Sequence, residues 1–555
     1  MSRRFISQLT SQLTTRALWL GSAISLAAGV PVLALSLSVG SEGIDARRLH
    51  EPPYSLTGRK IAIGQVEIGR PGQFGLDKVA YEMMPVAVRA VFFRDRLASP
   101  NEYVDGHAAN VASVMISQDK NVTGVAPGAT LYSGAVGPLR GRDGQPEECL
   151  ASQHIALQNG GDVRAMNFSF GESLGRDPRP NPMLDGNALL TQCIDWSHRV
   201  HDMLYVIAGN QGSGGIPIPT DNFNGINVAF STAIEGSFYR IDYANMGSEP
   251  VYRPQRSPVP ETNVGARRSI NLVAPGGNLD LLDPDGSTRR TSGTSFAAPH
   301  VVATVALLQE FGDRQIRTGP DNWNLDARRP AVMKAVLLNS ADKIKDQGDG
   351  LLLGMTRTLI DENNKTWLDS DAYSDPAIPL HADLGTGHLN AFRGYQQFQP
   401  GPQSPEAAVP LIGWNYGALE SAVPPTNLPR SQPKALYQDY VFESSLQGGS
   451  FISATLAWDR LVVLEDENQN DLYDVGETFG DRGLNNLDLY LMPADADDIS
   501  QSIWSSVSAA DSVEHIFFPI PATGRYKLRV VYRQQVNDEL QQRYALAWWA
   551  VGANL

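Results

Sequence analysis

The chain between about residues 60 and 395 alternates short apolar runs with stretches of helical period. The runs are rich in β-branched residues and comprise KIAIGQVEI, ATLYSGAV, VRAMNFSF and LYVIAGN. The apolar spacing elsewhere predicts helices over residues 107–116, 150–158, 189–201 and 295–311. This alternation predicts an α/β fold with a mostly parallel sheet flanked by helices. Ligands of such a sheet gather at the carboxyl ends of its strands.

The last part of the chain has an apolar period of two. In RYKLRVVYR, apolar residues alternate with lysine and arginine, and NLDLYL and YALAWW follow a similar pattern. Several such strands in succession predict an antiparallel β-sandwich. Two Pro-rich stretches, FQPGPQSPEAAVP and SAVPPTNLPRSQP, precede it. We therefore expect an α/β domain over residues 46–400, a linker over 401–430 and a sandwich domain over 431–555.

The N-terminus differs from both regions. MSRRFISQLTSQLTTR has three arginines and no acid, and the residues from Ala17 to Val39 are then apolar apart from Gly, Ser and Pro. A basic flank before an apolar run is typical of a secretory signal peptide or an uncleaved membrane anchor. We therefore expect residues 1–45 to be such a segment with a short spacer, and the protein to be exported. A buried N-terminal helix is the alternative.

Composition excludes one class of partner. The chain has 555 residues and a formal net charge of −15. A nucleic-acid partner is not expected, because phosphate binding needs clustered Lys and Arg and no basic stripe occurs. The sequence has two cysteines, Cys149 and Cys193. In an exported protein they could form a disulfide, and two half-buried thiols are equally compatible with the sequence.

Two hydroxyl residues, Thr294 and Ser295, stand directly before the most apolar predicted helix, in SGTSFAAPH. A hydroxyl at this place commonly caps a helix N-terminus. The same place favours developing negative charge, because unpaired N–H groups and the helix dipole point at it. SGTSFAAPH resembles the G-T-S-x-A-x-P nucleophile motif of the subtilisin-like serine proteases, the subtilases. The resemblance implies that Ser295 is the nucleophile.

A serine nucleophile needs a general base, and an upstream segment contains a histidine. DGHAANVASVM resembles the H-G-T-H-V-A-G segment of subtilases, with His107 as the base. It departs from that segment at Ala108, Ala109 and Asn110. A surface histidine at the start of a helix is the alternative interpretation of His107.

Further segments resemble subtilases in the same order. GVAPGATLY is similar to the strand entry after the histidine helix, and LYVIAGNQGSGG is similar to the segment with the oxyanion asparagine, here Asn210. A turn is the alternative for Asn210. MNFSFGES resembles the strand that pairs with extended substrate, which assigns substrate binding to Ser169, Phe170 and Gly171. With NLVAPGG and VMKAVLLNSAD, the resemblance covers about residues 60–395.

The third member of the implied triad is a carboxylate at the end of the first predicted strand. Subtilases have Asp there, and KIAIGQVEIGRPG has Glu67, in the shared order carboxylate, histidine, serine. Either acid can hold the Nδ1 proton of His107 if the backbone spacing suits it. The alternatives are that Glu67 is a surface acid, or that Asp77 is the partner. Asp77 follows a Gly-rich loop and not a strand.

The resemblance implies a secreted or membrane-anchored serine endopeptidase with a polypeptide substrate and no organic cofactor. The triad is Glu67, His107 and Ser295, with the Asn210 amide in the oxyanion hole. A second hypothesis is a catalytically inactive subtilase fold that serves as a binding or scaffold protein. The changed neighbours of His107 and the Glu in place of Asp motivate it.

One motif in the sandwich region predicts a metal site. DENQNDLYDVGE, residues 466–477, has an EF-hand-like spacing of oxygen ligands that suits calcium. The predicted ligands are Asp466, Asn468, Asn470, the Leu472 carbonyl, Asp474 and Glu477. Asp471 stands where the usual loop has Gly, and a solvated acidic loop is the alternative. The sequence does not indicate a partner for the sandwich.

Overall fold

The computed structural model describes residues 34–138, 143–209, 218–243, 263–264, 266–420, 436–539 and 541–553. The helices within these ranges are α1 Ala34–Val39, α2 Arg47–His50, α3 Gly106–Ile116, α4 Gln145–Ala156, α5 Gln158–Gly161, α6 Leu189–Val200, α7 Thr294–Thr318, α8 Pro330–Asn339, α9 Asp371–Ser374 and α10 Ala391–Phe398. The strands of the first region are β1 Ala62–Glu67, β2 Ala90–Phe93, β3 Arg96–Leu97, β4 Thr130–Ala135, β5 Val163–Phe168, β6 Leu204–Ala208, β7 Ile226–Ile234, β8 Ser237–Tyr243, β9 Asn263–Val264, β10 Arg267–Arg268, β11 Leu272–Pro275, β12 Leu279–Leu282 and β13 Thr288–Thr291. The strands of the last region are β14 Ile412–Glu420, β15 Tyr437–Val441, β16 Phe451–Trp458, β17 Leu461–Glu465, β18 Thr478–Gly483, β19 Asn486–Pro493, β20 Trp504–Ser506, β21 Val513–Pro519, β22 Tyr526–Gln534 and β23 Gln541–Trp549.

One large sheet forms the centre of the first region, in the order β11-β7-β6-β5-β1-β4-β2-β3, with β8 paired to β7. Its strand pairs are parallel except for β2 with β3 and β7 with β8. The prediction of a mostly parallel sheet flanked by helices is confirmed. Because β4, β1 and β5 are parallel neighbours, their carboxyl ends at Ala135, Glu67 and Phe168 lie side by side.

Helices cover both faces of this sheet. On β1, Ile63 packs with residues of α3 and α7, whereas Ala62 and Val66 pack with residues of α4 and α6. All six residues of β1 are buried, and a strand buried on both faces needs a continuous apolar run instead of strict alternation. Because side chains alternate along a strand, Gln65 and Glu67 lie on the same face as Ile63, toward α3 and α7.

The chain from residue 34 to residue 50 packs into the core of the first region. Leu35 and Val39 of α1 are part of that core, and the Ser38 hydroxyl lies 2.9 Å from Nε2 of His300 on α7. The predicted export segment and spacer, residues 1–45, therefore overlap the folded core. The end of an apolar signal and a short buried helix have the same sequence pattern. Residues 1–33, which hold most of the predicted segment, lie outside the described residues.

Besides the two-stranded hairpin β17–β18, the described part of the last region contains two four-stranded antiparallel sheets, in the orders β14-β23-β16-β21 and β15-β22-β19-β20. They share one hydrophobic cluster, which includes Leu456 and Trp548 of the first sheet and Leu528 of the second. The hydroxyls of Tyr440 and Tyr544, 2.9 Å apart, also join the two sheets. The sheets share this core, which fits the predicted sandwich.

The predicted linker, residues 401–430, contains a strand. β14 pairs along its whole length with β23, and the buried Trp414 packs in the core of the first region. Proline, serine and glutamine on both sides obscure this strand in the sequence, because their composition is typical of linkers. The sandwich therefore begins before residue 431, and residues 421–435 lie outside the described residues.

Cys149 and Cys193 are joined by a disulfide that links α4 to α6, a pairing that the sequence left open. Val462 and Phe479 of the hairpin β17–β18 pack in the same cluster as the two cysteines. The described residues from 34 onward belong to one compact unit. Among the residues described, no helix combines the length and the hydropathy that crossing a bilayer requires.

Candidate active site

Glu67 and His107 meet at the carboxyl end of β1. Glu67 is the last residue of β1 and His107 is the second residue of α3, whose N-cap residue Asp105 accepts a hydrogen bond from the Ala108 N–H. Nδ1 of His107 lies 3.1 Å from Oε2 of Glu67. The Glu67 side chain is 2% exposed, and that of His107 is 41% exposed. The carboxylate is therefore buried behind an imidazole that faces solvent.

Burial and the ion pair act in opposite directions on this pair. Burial raises the pKa of Glu67, and the neighbouring His107 offsets only part of that rise. Burial by itself lowers the pKa of His107, but the charge and hydrogen bond of Glu67 outweigh it, so that this pKa lies above its ordinary value. A carboxylate that accepts the Nδ1 proton leaves Nε2 free to act as a base. The arrangement therefore favours proton transfer at Nε2 of His107.

Ser295 lies in the first turn of α7. The N-cap residue of this helix is a glycine without a side-chain cap, so the interpretation of Thr294 or Ser295 as the helix cap is wrong. The Ser295 hydroxyl instead donates to the backbone carbonyl of Ser169 at 3.2 Å. The next residue, Phe296, lies against His107, with ring centroids 5.5 Å apart. Ser295 is therefore held at the start of a helix that contacts the imidazole.

A reciprocal pair of hydrogen bonds holds Ser295 against the end of β5. Oγ of Ser169 donates to the Ser295 carbonyl at 2.8 Å. No helical N–H can satisfy this carbonyl, because the residue four places along is Pro299. Nδ2 of Asn167 in turn donates to Oγ of Ser169 at 2.8 Å. Ser169, predicted as a substrate-binding residue, therefore also positions the first turn of α7.

The other predicted substrate-binding residues continue beyond β5. The ring of Phe170 stacks on that of Phe168, with centroids 4.5 Å apart. Gly171 leads to Glu172, whose backbone N–H and carbonyl bond to Ile218 at 2.8 and 3.1 Å. This segment is thus anchored at both ends beside Ser295.

Asn210, the predicted oxyanion residue, lies outside the described residues. The residue before it, Gly209, accepts a hydrogen bond through its carbonyl from Oγ1 of Thr294 at 2.6 Å. Because Thr294 directly precedes Ser295, this bond joins the residue that follows β6 to the start of α7.

Asp77, the alternative carboxylate, has a different partner. Its oxygens form a bidentate pair with Arg70, with Nη1 to Oδ2 at 2.5 Å and Nη2 to Oδ1 at 2.8 Å. Both side chains are fully buried. The backbone N–H groups of Gln73 and Asn101 donate to the same carboxylate. The oxygens of Asp77 are therefore engaged away from His107.

We expect Asp77→Asn to destabilise the fold without changing the chemistry. The substitution leaves the buried Arg70 without a counter-charge, which costs about 3 kcal/mol or more in the free energy of unfolding. Turnover per folded molecule should stay near the wild-type value. Urea unfolding and kcat measured on one preparation check both parts. A collapse of kcat in fully folded protein would instead make Asp77 the partner of His107.

Comparison with known proteins assigns these residues to a family. Residues 86–356 match the family model described as the Subtilase family. This part of the chain is a subtilase. The match includes His107 and Ser295 and begins after Glu67. The carboxylate member of the predicted triad is therefore identified by its geometry alone.

Curated relatives of this subtilase include M-protease of Shouchella clausii, 25% identical over 234 residues, which are 40% of this chain and 52% of that protein. Subtilisin Savinase of Lederbergia lenta is 24% identical over 208 residues, 37% of this chain and 64% of that protein. The chain thus spans less than two thirds of the length of these relatives. Among solved structures, a prenylagaramide maturation protease is 19% identical with a TM-score of 0.40, and the alignment covers 63% of this chain and 97% of that chain.

The residues that depart from the usual subtilase histidine segment form a packed contact. Ala108, Ala109 and Asn110 are all buried. Nδ2 of Asn110 donates to the carbonyl of Leu282, in β12, at 2.9 Å. Asn110 therefore joins α3 to the hairpin β12–β13, and His107 stays at the helix start.

Sequence reasoning missed three polar side chains that contact the elements of the predicted triad. Asp105 caps the helix of His107, and an acid directly before a predicted helix was a signal for this role. Gln65, in the middle of β1, donates through Nε2 to the Ala108 carbonyl at 3.0 Å. The role of Asn167 has no local sequence signal, because it depends on the contact between β5 and α7.

The predicted metal loop of this subtilase is closed by its own hydrogen bonds. The Asp466 carboxylate accepts from three backbone N–H groups of the loop, and the Glu477 carboxylate accepts from two more, including that of Asp474. Asp471 has a φ of 61°, the left-handed conformation that Gly adopts at this position of an EF-hand loop. The backbone therefore accommodates the residue that departs from the motif.

Three of the predicted ligand side chains of the loop are hydrogen-bonded to one another. The amide nitrogens of Asn468 and Asn470 both donate to Asp474. Across the described ranges, no three His, Cys, Asp or Glu side chains are grouped so that they could hold a metal ion. Calcium binding at this loop stays a prediction.

Proposed function

We propose that the chain is an exported serine endopeptidase that hydrolyses peptide bonds in polypeptides through Ser295, His107 and Glu67. The observation that carries the proposal is the 3.1 Å contact between Nδ1 of His107 and Oε2 of the buried Glu67, next to the first turn of α7. The subtilase match over His107 and Ser295 supports the reaction class.

In the proposed mechanism, Oγ of Ser295 attacks the scissile carbonyl. Its proton passes to Nε2 of His107, which returns it to the leaving amine, while Glu67 holds the Nδ1 proton and stabilises the imidazolium. The hydroxyl must first rotate away from the Ser169 carbonyl, its present acceptor. Hydrogen bonds between catalytic groups often tighten only when substrate is bound.

We assign the oxyanion hole to the Asn210 amide and the backbone N–H of Ser295. The hydrogen bond from Thr294 to the Gly209 carbonyl supports this assignment, because it holds the residue before Asn210 at the start of α7. An oxyanion donor aimed at this place typically contributes about 3 kcal/mol to transition-state stabilisation. Substrate main chain would pair with the segment Ser169 to Gly171 by strand addition.

Export is proposed from the N-terminal sequence. The basic flank and apolar run within residues 1–33 are typical of a signal peptide or membrane anchor. The packing of residues 34–50 in the core supports placing the end of such a segment before residue 34. An uncleaved segment would anchor the peptidase to the membrane without a long spacer.

Hydrolysis of an unstructured polypeptide tests the proposed activity against the scaffold hypothesis. The full chain should convert casein into small peptides catalytically. The rate should fall at low pH, in the acid limb of the pH profile, because the His107–Glu67 pair takes up a proton there. A scaffold would bind denatured casein and leave it intact. Stoichiometric binding without any cleavage by folded protein would reject the peptidase.

Calcium is expected to raise the melting temperature of the full chain. If residues 466–477 bind calcium, the ion stabilises the folded state by mass action, and Asp466→Ala should remove the gain. Differential scanning calorimetry with calcium and with chelator measures the effect. Asp498→Ala is the matched control, because Asp498 is another exposed aspartate whose carboxylate accepts a backbone N–H. Equal melting of the wild type under both conditions would leave only a solvated acidic loop.

A further inference from the structure

A row of polar side chains crosses three neighbouring strands beneath Glu67. Gln65 of β1 is in register with Ser133 of β4 and with Asn167 of β5. Because registered residues of parallel strands point to the same face, the three side chains lie side by side under α3 and α7. All three are fully buried. Glu67 is two residues farther along β1, on the same face.

Four buried oxygen atoms of this group have no hydrogen-bond partner in the described part of the protein. They are Oε1 of Gln65, Oε1 of Glu67, Oγ of Ser133 and Oδ1 of Asn167. An unpaired polar group away from water destabilises the folded state, so such atoms are rare in native interiors. Four of them on adjoining positions of one face indicate a shared partner.

The orientations of the two amides are determined by their other hydrogen bonds. Nε2 of Gln65 faces the Ala108 carbonyl, which can only accept. Oγ of Ser169 donates its proton to the Ser295 carbonyl, so it must accept from Nδ2 of Asn167. Turning either amide would bring two acceptors together. The unpartnered atoms are therefore oxygens and not misplaced nitrogens.

The group has three acceptors and too few donors. The acceptors are the two amide oxygens and Oε1 of Glu67, and the Ser133 hydroxyl can donate to only one of them. A water molecule has two protons to donate, so water and hydroxyl together match the three acceptors. Buried water occurs where two to four polar groups converge in this way.

We propose that Gln65, Ser133 and Asn167 hold a buried water molecule that donates a hydrogen bond to Oε1 of Glu67. The inference rests on the proposed function, because it concerns the carboxylate of the triad. With His107 on one carboxylate oxygen and the water on the other, Glu67 is kept ionised and its plane is fixed. The three residues are positioning residues, since they act through Glu67.

Loss of this water should move the acid limb of kcat/KM to higher pH. A hydrogen bond to an ionised carboxylate favours that form, so without it the Glu67–His107 pair takes up its first proton at higher pH. The active state needs Glu67 ionised and His107 neutral, and Asp105 is the other titratable group that acts on both. Ser133→Ala removes one of the three side chains that hold the water. It should therefore shift the acid limb upward by about one pH unit. It should also lower kcat roughly tenfold at unchanged KM.

The experiment compares the pH profiles of the full-length wild type, Ser133→Ala and Gln65→Met. Tyr532→Phe is the matched control, because Tyr532 also has a buried oxygen without a partner among the described residues but lies on β22 of the sandwich. Both active-site variants should shift the acid limb and the control should not. A wild type without turnover would refute the proposed function. An active wild type with an unshifted acid limb in Ser133→Ala would overturn this inference alone.

Two measurements identify the bound species independently of the kinetics. High-resolution diffraction from wild-type crystals should show an ordered water within hydrogen-bond distance of Oε1 of Glu67. Replacement of Na⁺ and K⁺ by choline should leave kcat unchanged. A rate that requires either ion, or the absence of density beside Oε1, would overturn the inference even if Gln65→Met failed to fold.

Discussion

Replacing Ser295 by alanine is expected to abolish peptide hydrolysis while leaving the fold nearly intact. Ser295 provides the oxygen that bonds to the substrate, so kcat should fall by about 10⁴-fold or more, to the level left by binding and the oxyanion hole. The free energy of unfolding should change by about 1 kcal/mol, because the variant loses a single hydrogen bond to the Ser169 carbonyl. Steady-state kinetics and urea unfolding of one preparation measure both effects.

Ser292→Ala is the matched control for this substitution. Ser292 is exposed and lies three residues before Ser295, where its Oγ accepts the N–H of Asn278. Its removal should leave kcat unchanged. Near-normal turnover by Ser295→Ala would reject Ser295 as the nucleophile.

The Glu67→Gln variant is expected to lose on the order of a hundredfold or more in kcat, with little change in KM. Glutamine keeps the size of the side chain, but its NH₂ group can face Nδ1 and impose the unproductive tautomer on His107. The charge and hydrogen bond of Glu67 hold the pKa of His107 up against the effect of burial. Without them this pKa falls, so the acid limb should move to lower pH, opposite to the shift expected for Ser133→Ala.

Glu67→Asp separates the effect of the carboxylate charge from the effect of the side-chain length. It keeps the carboxylate but withdraws it by roughly 1.5 Å, the length of one carbon–carbon bond, from the present 3.1 Å contact with His107. We expect a smaller loss of kcat than for Glu67→Gln, and an acid limb near the wild-type position. Wild-type rates in both variants would show that Glu67 is not the triad carboxylate.

The parts of the fold that the sequence predicted are those whose buried faces are periodic. β1, β4, β5 and β6 lie within the apolar runs, and α3 begins one residue from its predicted start. Such elements can be recognised locally, because burial on both faces of a strand or along one side of a helix leaves a regular pattern. Their order along the chain then predicted ligands at the carboxyl ends of the strands, whereas the grouping of Glu67, His107 and Ser295 was implied by the resemblance to subtilases.

The parts that sequence reasoning missed depend on contacts between distant segments. α1 has too few residues to show a helical period, and β14 is recognised only through its pairing with β23. Asp77 is an exception, since its buried partner Arg70 is only seven residues away, but no local pattern predicts this pair. The alignment of Gln65 with Asn167 follows from strand register, which tertiary packing determines.

Labelling with a fluorophosphonate probe tests most directly whether His107 activates Ser295 as a nucleophile. The probe forms a covalent bond with an activated serine hydroxyl and leaves ordinary serines unmodified. We predict that the folded full-length protein is labelled, that mass spectrometry locates the adduct on Ser295, and that Glu67→Gln slows the reaction. Folded wild-type protein that stays unlabelled, or an adduct on any serine other than Ser295, would contradict the account.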